Sequence, residues 1–390
     1  MTNEELWKKL ENKIELGLSN LTPNCQLYFE VHIVEHCNLD CKQCNHYSPL
    51  AEEEYISIDR YKKDCDRLSE LFDGEMLYIS LLGGEPLLHP QITEIMKITR
   101  EAFPIGQVRI ITNGLLLPNM PEVFWEVCKK YEVEIEATYY PIKFDYEGIK
   151  NTADSKGVKY TPWSAHTIQL KHPIIITRRE GRALGRRNFL NCVSATRCLT
   201  LKNGKMYPCA IAAHIPHLKK YFNLDIHLSE KNGVDIYSVE SGDELLEKIA
   251  RPIPLCQYCD ITDESIICDW GISKKDRYEW LAFEFTEDDI QYLKSKTSVV
   301  YVFGAGVMGN QTIARLKNEG ITIKNVLTTR KEQCGGNILD VPIVTLDELG
   351  EVESNSICLV ALGTPAHKAE VYPLLSQIGF GDVVPVSEIR

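Results

Sequence analysis

The chain has 390 residues, 44% hydrophobic and 25% charged, enough for two or three domains with cores of their own. Its net charge of −12 argues against a sequence-independent nucleic-acid binder, which needs a cationic surface. No stretch approaches the roughly 18–20 apolar residues of a membrane span, and the opening residues lack the apolar core of an export signal, so a cytoplasmic protein is expected.

Residues 1–25 predict an amphipathic helix with a Thr2/Glu5 capping box and Leu6, Leu10 and Ile14 on one face. Over 26–185, β-like runs at 26–34, 76–82, 107–112, 133–138, 158–163 and 172–177 alternate with helical patterns at 57–72, 90–102 and 121–130. Repeated β–α units imply parallel strands, and six of them predict a partial (β/α)6 barrel in an α/β protein. Sites in such folds lie at the C-terminal ends of the strands. Cys37 follows the first strand, Gly83-Gly84-Glu85-Pro86 the second and Thr112-Asn113-Gly114 the third, so all three should meet at one mouth.

Alternation stops over 186–270, where cysteines become dense, and 271–297 reads as a charged helical connector. From 298 to 390 a new β–α alternation predicts a small Rossmann-like parallel-sheet domain. Its first strand runs into Gly304-x-Gly306-x-x-Gly309 and a helix, a phosphate-binding turn in its proper context. Thr328, Thr329 and Arg330 end the next strand where NAD binding wants an acid, so a nucleotide or nucleotide-sugar is a better candidate ligand than NAD, with a docking role or a lost site as the alternative.

Fourteen cysteines without an export signal suggest a reducing compartment and roles as metal ligands or catalytic thiols. Cys37, Cys41 and Cys44 form one group. Cys192, Cys198, Cys209, Cys256 and Cys259 form another, with Cys268 a further candidate. Cys25, Cys65, Cys128, Cys334 and Cys358 are scattered and read as small buried hydrophobes. Three thiolates satisfy three irons of a [4Fe–4S] cluster and leave the fourth open to a small molecule. A zinc site completed by His36 or His46 is the competing reading.

C-x3-C-x2-C after a first strand, with Gly-Gly-Glu-Pro after the second, resembles the radical SAM family over residues 26–180. The resemblance implies a [4Fe–4S] cluster on Cys37, Cys41 and Cys44 that binds S-adenosylmethionine (SAM). An external donor such as flavodoxin or ferredoxin would supply the electron. It also implies that Gly83, Gly84, Glu85 and Pro86 bind the methionyl amine, and that Thr112, Asn113 and Thr138 contact ribose and carboxylate. Gln43 departs from the family, which often has an aromatic residue before the third cysteine. That leaves adenine to other residues, Tyr47 among them. His46 and His89 flank the motifs.

The second group, with Gly204 five residues before Cys209 and the Cys256-x2-Cys259 pair, resembles the auxiliary-cluster region called SPASM, or twitch in its short form. One auxiliary [4Fe–4S] cluster is implied; a zinc knuckle is the competing reading. Cys192, Cys209, Cys256 and Cys259 fit the short pattern, and Cys198 is an alternative ligand. Cys198 or Cys268 is a candidate hydrogen donor. The stretch 177–188 concentrates Arg178, Arg179, Arg182, Arg186 and Arg187, which suit an anionic substrate. The last domain resembles small appendages of polysaccharide-biosynthesis enzymes. Together these resemblances imply hydrogen abstraction from a carbohydrate, nucleotide-sugar or polysaccharide-linked substrate, leading to oxidation, deoxygenation or epimerisation. A peptide-modifying maturase and a non-catalytic iron–sulfur scaffold are the alternatives.

Overall fold

The computed structural model describes residues 28–164, 168–170, 174–175, 182–192, 194–195, 198–260, 267–296, 299–363 and 365–387. The helix expected over 1–25, Cys25, Arg178 and Arg179 lie outside them. The chain forms two compact units, Met1–His166 with Gly181–Gln257, and Thr167–Glu180 with Tyr258–Arg390.

The first unit is built on β1 (Tyr28–Val34), β2 (Tyr78–Gly83), β3 (Gln107–Thr112), β4 (Glu134–Tyr139) and β5 (Tyr160–Ser164), each parallel to the next. Helices Ile58–Phe72, Ile92–Ala102, Glu122–Lys130 and Tyr146–Lys156 connect them. The first helix starts at Ser57, whose side chain caps Arg60 N–H, and buries Tyr61, Cys65, Leu68 and Leu71 at helical spacing. All seven residues of β1 are buried, as expected of a central parallel strand covered on both faces.

The sixth parallel strand is not the one the sequence suggests. Within 172–177 the described strand is β7 (Ile174–Ile175), and it pairs in the second unit. β6 (Ile168–Leu170) belongs to that unit too. The sixth strand is β8 (Thr200–Lys202), parallel to β1 on its free edge. Glu30 N–H donates to Leu199 C=O (2.8 Å), and Thr200 Oγ1 donates to the buried Glu30 carboxylate (3.0 Å). β9 (Lys205–Tyr207) returns antiparallel to β8 through Asn203-Gly204, both at positive φ (50° and 73°), a turn that matches strand twist. With β10 (Val234–Asp235) the sheet has eight strands in the order β10-β9-β8-β1-β2-β3-β4-β5.

In the second unit, β11 (Cys259–Asp260) pairs with β7 and β12 (Ile267–Asp269) with β6. Among the described residues of the charged stretch 271–297, helix is confined to Arg277–Glu279, one 3-10 turn, and Glu287–Lys296. It is packed rather than free-standing: Phe283 is fully buried and its N–H donates to Pro385 C=O (2.8 Å). Then come β13 (Val300–Phe303), β14 (Ile323–Thr328), β15 (Asn337–Ile338), β16 (Val341–Thr345), β17 (Ile357–Val360) and β18 (Asp382–Pro385). Apart from the antiparallel edge strand β15, they form a parallel sheet in the order β16-β14-β13-β17-β18. This is the doubly wound arrangement, with its switch point between β13 and β17.

Candidate functional site

The loops after β1, β2 and β3 do meet. Gly84 N–H donates to Val34 C=O (2.8 Å) and Glu85 N–H to His36 C=O (3.1 Å), so the Gly-Gly-Glu run continues the β1–β2 ladder into the cysteine loop. A Cβ on Gly83 would sit 2.2 Å from Val34 O, and one on Gly84 only 2.0 Å from His36 O and 2.8 Å from Cys37 N. These glycines let two backbones touch just before the first cysteine.

Glu85 is fully buried and joins the loops. One carboxylate oxygen accepts from Thr112 Oγ1 (2.6 Å) and Leu87 N–H (3.0 Å); the other accepts from Asn113 N–H (2.9 Å). Burial raises its pKa to about 7, against those hydrogen bonds. The sequence assigns Glu85 to a ligand ammonium; the structure adds this connecting role. Pro86 is buried and opens the 3-10 turn Pro86–Leu88. Asn113 Nδ2 donates to Asn38 Oδ1 (2.7 Å) and lies 3.8 Å from Cys37 Sγ. A hydrogen-bonded chain thus runs from Glu85 through Asn113 to the first thiol. Thr138 is half-buried near the end of β4.

Cys37, Cys41 and Cys44 lie close enough to bear on one another electrostatically. Burial pushes the Cys37 thiol up, and Glu85, Cys44 and Cys41 add to it; burial also raises Cys44. Protonated, buried thiols gain from a metal that draws them to thiolates. Gln43 and Tyr47, on either side of Cys44, hold left-handed backbone (φ 59° and 57°), a cost that marks a tightly determined loop. Sequence reasoning missed Tyr140, just past β4. Its buried hydroxyl bonds Cys41 and feels all three thiols, which with burial hold it well above the ordinary phenol value. Its signal was only its place after a fourth strand. His89 has both ring nitrogens engaged by backbone, Nε2 with Ile56 C=O (3.0 Å) and Nδ1 with Gln91 N–H (3.1 Å), so its role is structural. The donor set is three sulfurs on one short loop, which fits a cluster with one open iron.

In the second cysteine group, Cys192, Cys198, Cys209 and Cys256 gather in the first unit. Burial, then Cys192, Cys256 and Cys198, push the Cys209 thiol far up. Cys209 stands at the N-terminus of helix Ala210–Phe222, where the helix dipole favours thiolate. Asn188 Nδ2 donates to Cys256 C=O (2.8 Å). Gly204 serves the β8–β9 turn, and its N–H donates to Asp64 (3.0 Å). Cys259 and Cys268 belong to the second unit, on β11 and β12. Cys65, Cys128 and Cys358 are fully buried, while Cys334 is half-buried with its thiol 2.6 Å from Glu348. Of the described arginines, Arg182 starts helix Arg182–Asn191, and Arg186 and Arg187 are exposed.

In the second unit a cavity of about 600 Å³ opens at the ends of β13, β14 and β17, at the switch point. Gly304, Gly306, Thr328, Thr329 and Arg330 line it. Gly304 has φ +116°, and a Cβ on Gly309 would fall 1.7 Å from Gly304 O, so these two serve the turn and the helix packing. Gly306 faces open space, leaving its backbone approachable.

Comparison with known proteins gives a match to the radical SAM superfamily over residues 31–153. GTP 3',8-cyclase of Microcystis aeruginosa is 28% identical over 106 residues, 25% of this chain and 31% of that protein. The subtilosin biosynthesis protein AlbA of Bacillus subtilis is 31% identical over 109 residues, 28% of this chain and 22% of that protein. The chain thus spans under a third of these relatives. Among solved structures, BtrN in complex with AdoMet and 2-DOIA aligns over 66% of this chain and 98% of its own, at 17% identity and a TM-score of 0.38. SuiB of Streptococcus suis bound to precursor peptide SuiA aligns over 42% and 37%, at 21% and 0.30.

Proposed function

We propose that this chain, whose residues 31–153 form a radical SAM domain, cleaves SAM reductively and takes hydrogen from a nucleotide-sugar or related carbohydrate. The carrying observation is the three-thiol loop locked to Gly84 and Glu85. Cys37, Cys41 and Cys44 would hold a [4Fe–4S] cluster, which when bound with SAM supplies one-electron cleavage to a 5′-deoxyadenosyl radical. The chain's own residues position and seal. Gly83 and Gly84 bring the second loop against the cysteines, Glu85 ties it to the third, and the half-buried Tyr140 bonds Cys41. Asn113 and Thr138 stand where ribose and carboxylate would be met.

The gathered Cys192, Cys209 and Cys256, with Cys198 as the fourth thiol, support an auxiliary cluster in the first unit. Such a cluster suits electron transfer from a substrate radical, and so oxidation. The nucleotide part of the substrate reading rests on the switch-point cavity, where open Gly306 and Arg330 suit phosphate. The peptide-modifying alternative draws on the match to AlbA, confined to about a quarter of this chain. The test is SAM consumption by reduced, cluster-loaded protein offered nucleotide-sugars or peptides. Nucleotide-sugars are expected to raise turnover; stimulation by peptides alone would replace this reading with the maturase.

A further inference from the structure

The three thiols of the candidate site draw on different hydrogen-bond donors. Cys37 Sγ accepts from Leu39 N–H (3.3 Å), with Asn113 Nδ2 at 3.8 Å. Cys44 accepts from backbone N–H groups of its own loop, at Ser48, His46 and Tyr47. Cys41 takes a side-chain donor from a distant strand: the Tyr140 hydroxyl reaches it from just past β4. The backbone of Tyr140 is itself fixed. Its N–H donates to Tyr146 Oη (3.1 Å), and its C=O accepts from Ile142 N–H (2.8 Å). Tyr146 in turn stacks on Tyr139 with ring centroids 4.1 Å apart. The phenol is therefore aimed by the fourth strand and the helix after it, not by the cysteine loop.

The hydroxyl is the donor in this contact, since burial and then the three sulfurs keep its proton on. A hydrogen bond to a thiolate draws negative charge off the sulfur. One-electron reduction of an iron–sulfur cluster adds negative charge that its sulfurs share. The bond is therefore stronger in the reduced state and raises the potential. A low local dielectric enlarges that difference. Packing alone would ask only for the ring, which phenylalanine supplies equally well. Backbone donors are set by the fold of the loop, whereas this one is a side chain that can be changed without moving the loop.

We propose that Tyr140 is a positioning residue that, through its hydrogen bond to Cys41, raises the reduction potential of the cluster on Cys37, Cys41 and Cys44. The inference rests on the reading of these thiols as cluster ligands. Its consequence is a cluster that an external donor reduces more easily and that is a milder reductant afterwards.

The test is a redox titration of the full chain, reconstituted anaerobically and followed by EPR without SAM. The signal of this cluster is the one missing from the Cys37/Cys41/Cys44→Ala variant, which separates it from a cluster on the second cysteine group. In Tyr140→Phe, at wild-type iron content, the reduced-to-oxidised ratio at a fixed potential is expected to fall about three- to ten-fold, a midpoint lower by about 30–60 mV. Tyr139→Phe, beside it in the chain, is expected to leave the midpoint in place. A midpoint unchanged or raised in Tyr140→Phe, or an equal shift in Tyr139→Phe, overturns the proposal. Iron lost from Tyr140→Phe would make the tyrosine a structural prop and overturn it too. A wild type with no signal that the triple variant lacks would remove the cluster reading itself, and the proposal with it.

Discussion

Replacing Gly84 with alanine is expected to abolish SAM cleavage while leaving the rest of the first unit folded. The new Cβ would lie 2.0 Å from His36 O and 2.8 Å from Cys37 N. Both are backbone atoms with no rotamer to relieve the clash, so the cysteine loop must retreat by roughly 1 Å. A misplacement of that size costs on the order of 100-fold in rate. The measurement is 5′-deoxyadenosine formed per iron bound, beside Gly271→Ala, whose Cβ would meet nothing within 4 Å. Wild-type turnover in Gly84→Ala would mean that the glycine pair does not position the thiols.

The second large effect is expected at Glu85. Alanine there strands the Thr112 hydroxyl and the Asn113 and Leu87 N–H groups in the interior. At about 1–3 kcal/mol for each of these three buried unpaired groups, the loss is about 3–9 kcal/mol, read as a lowered denaturation midpoint. Glutamine restores part of it and separates charge from hydrogen bonding. The pH dependence carries a sign. The folded-state pKa of about 7 lies above the ordinary 4.5, so the folded protein holds this proton more tightly than the unfolded chain. The contribution is complete below about pH 4.5 and is lost as pH rises through 7, at most about 3 kcal/mol. Denaturation of the wild type between pH 5 and 8 should show that decline, and Glu85→Gln should flatten it. A slope of opposite sign, or one unchanged in Glu85→Gln, would place the titration elsewhere.

The parts of this molecule legible in its sequence were local. β1 to β5 announced themselves by β-branched and aromatic runs, and the loops after β1, β2 and β3 by glycine and cysteine spacing. The sixth strand was misplaced because "HPIIIT" has the stronger strand composition, while the true strand, Thr200–Lys202, is three residues long. Its pairing is fixed by the distant Glu30. Asn203-Gly204 was a hairpin signal lying in a stretch read for its cysteines. The charged run 271–297 looked like a helix because charge is compatible with one; its buried Phe283 and Tyr278 instead anchor it to the second unit. Tyr140 carries no local pattern at all. Its partner Cys41 lies three strands back in the chain, and only the parallel order of β1 to β4 brings the two together.

The most direct test of the account is 5′-deoxyadenosine formation. Protein reconstituted anaerobically with iron and sulfide, then reduced with dithionite, is incubated with SAM and the nucleoside quantified, beside the Cys37/Cys41/Cys44→Ala variant. The account predicts product from the wild type and none from the variant, because only the three-thiol loop leaves an iron open to SAM. Equal yields from the two, or no product from an iron-loaded wild type offered nucleotide-sugars and peptides, would contradict it.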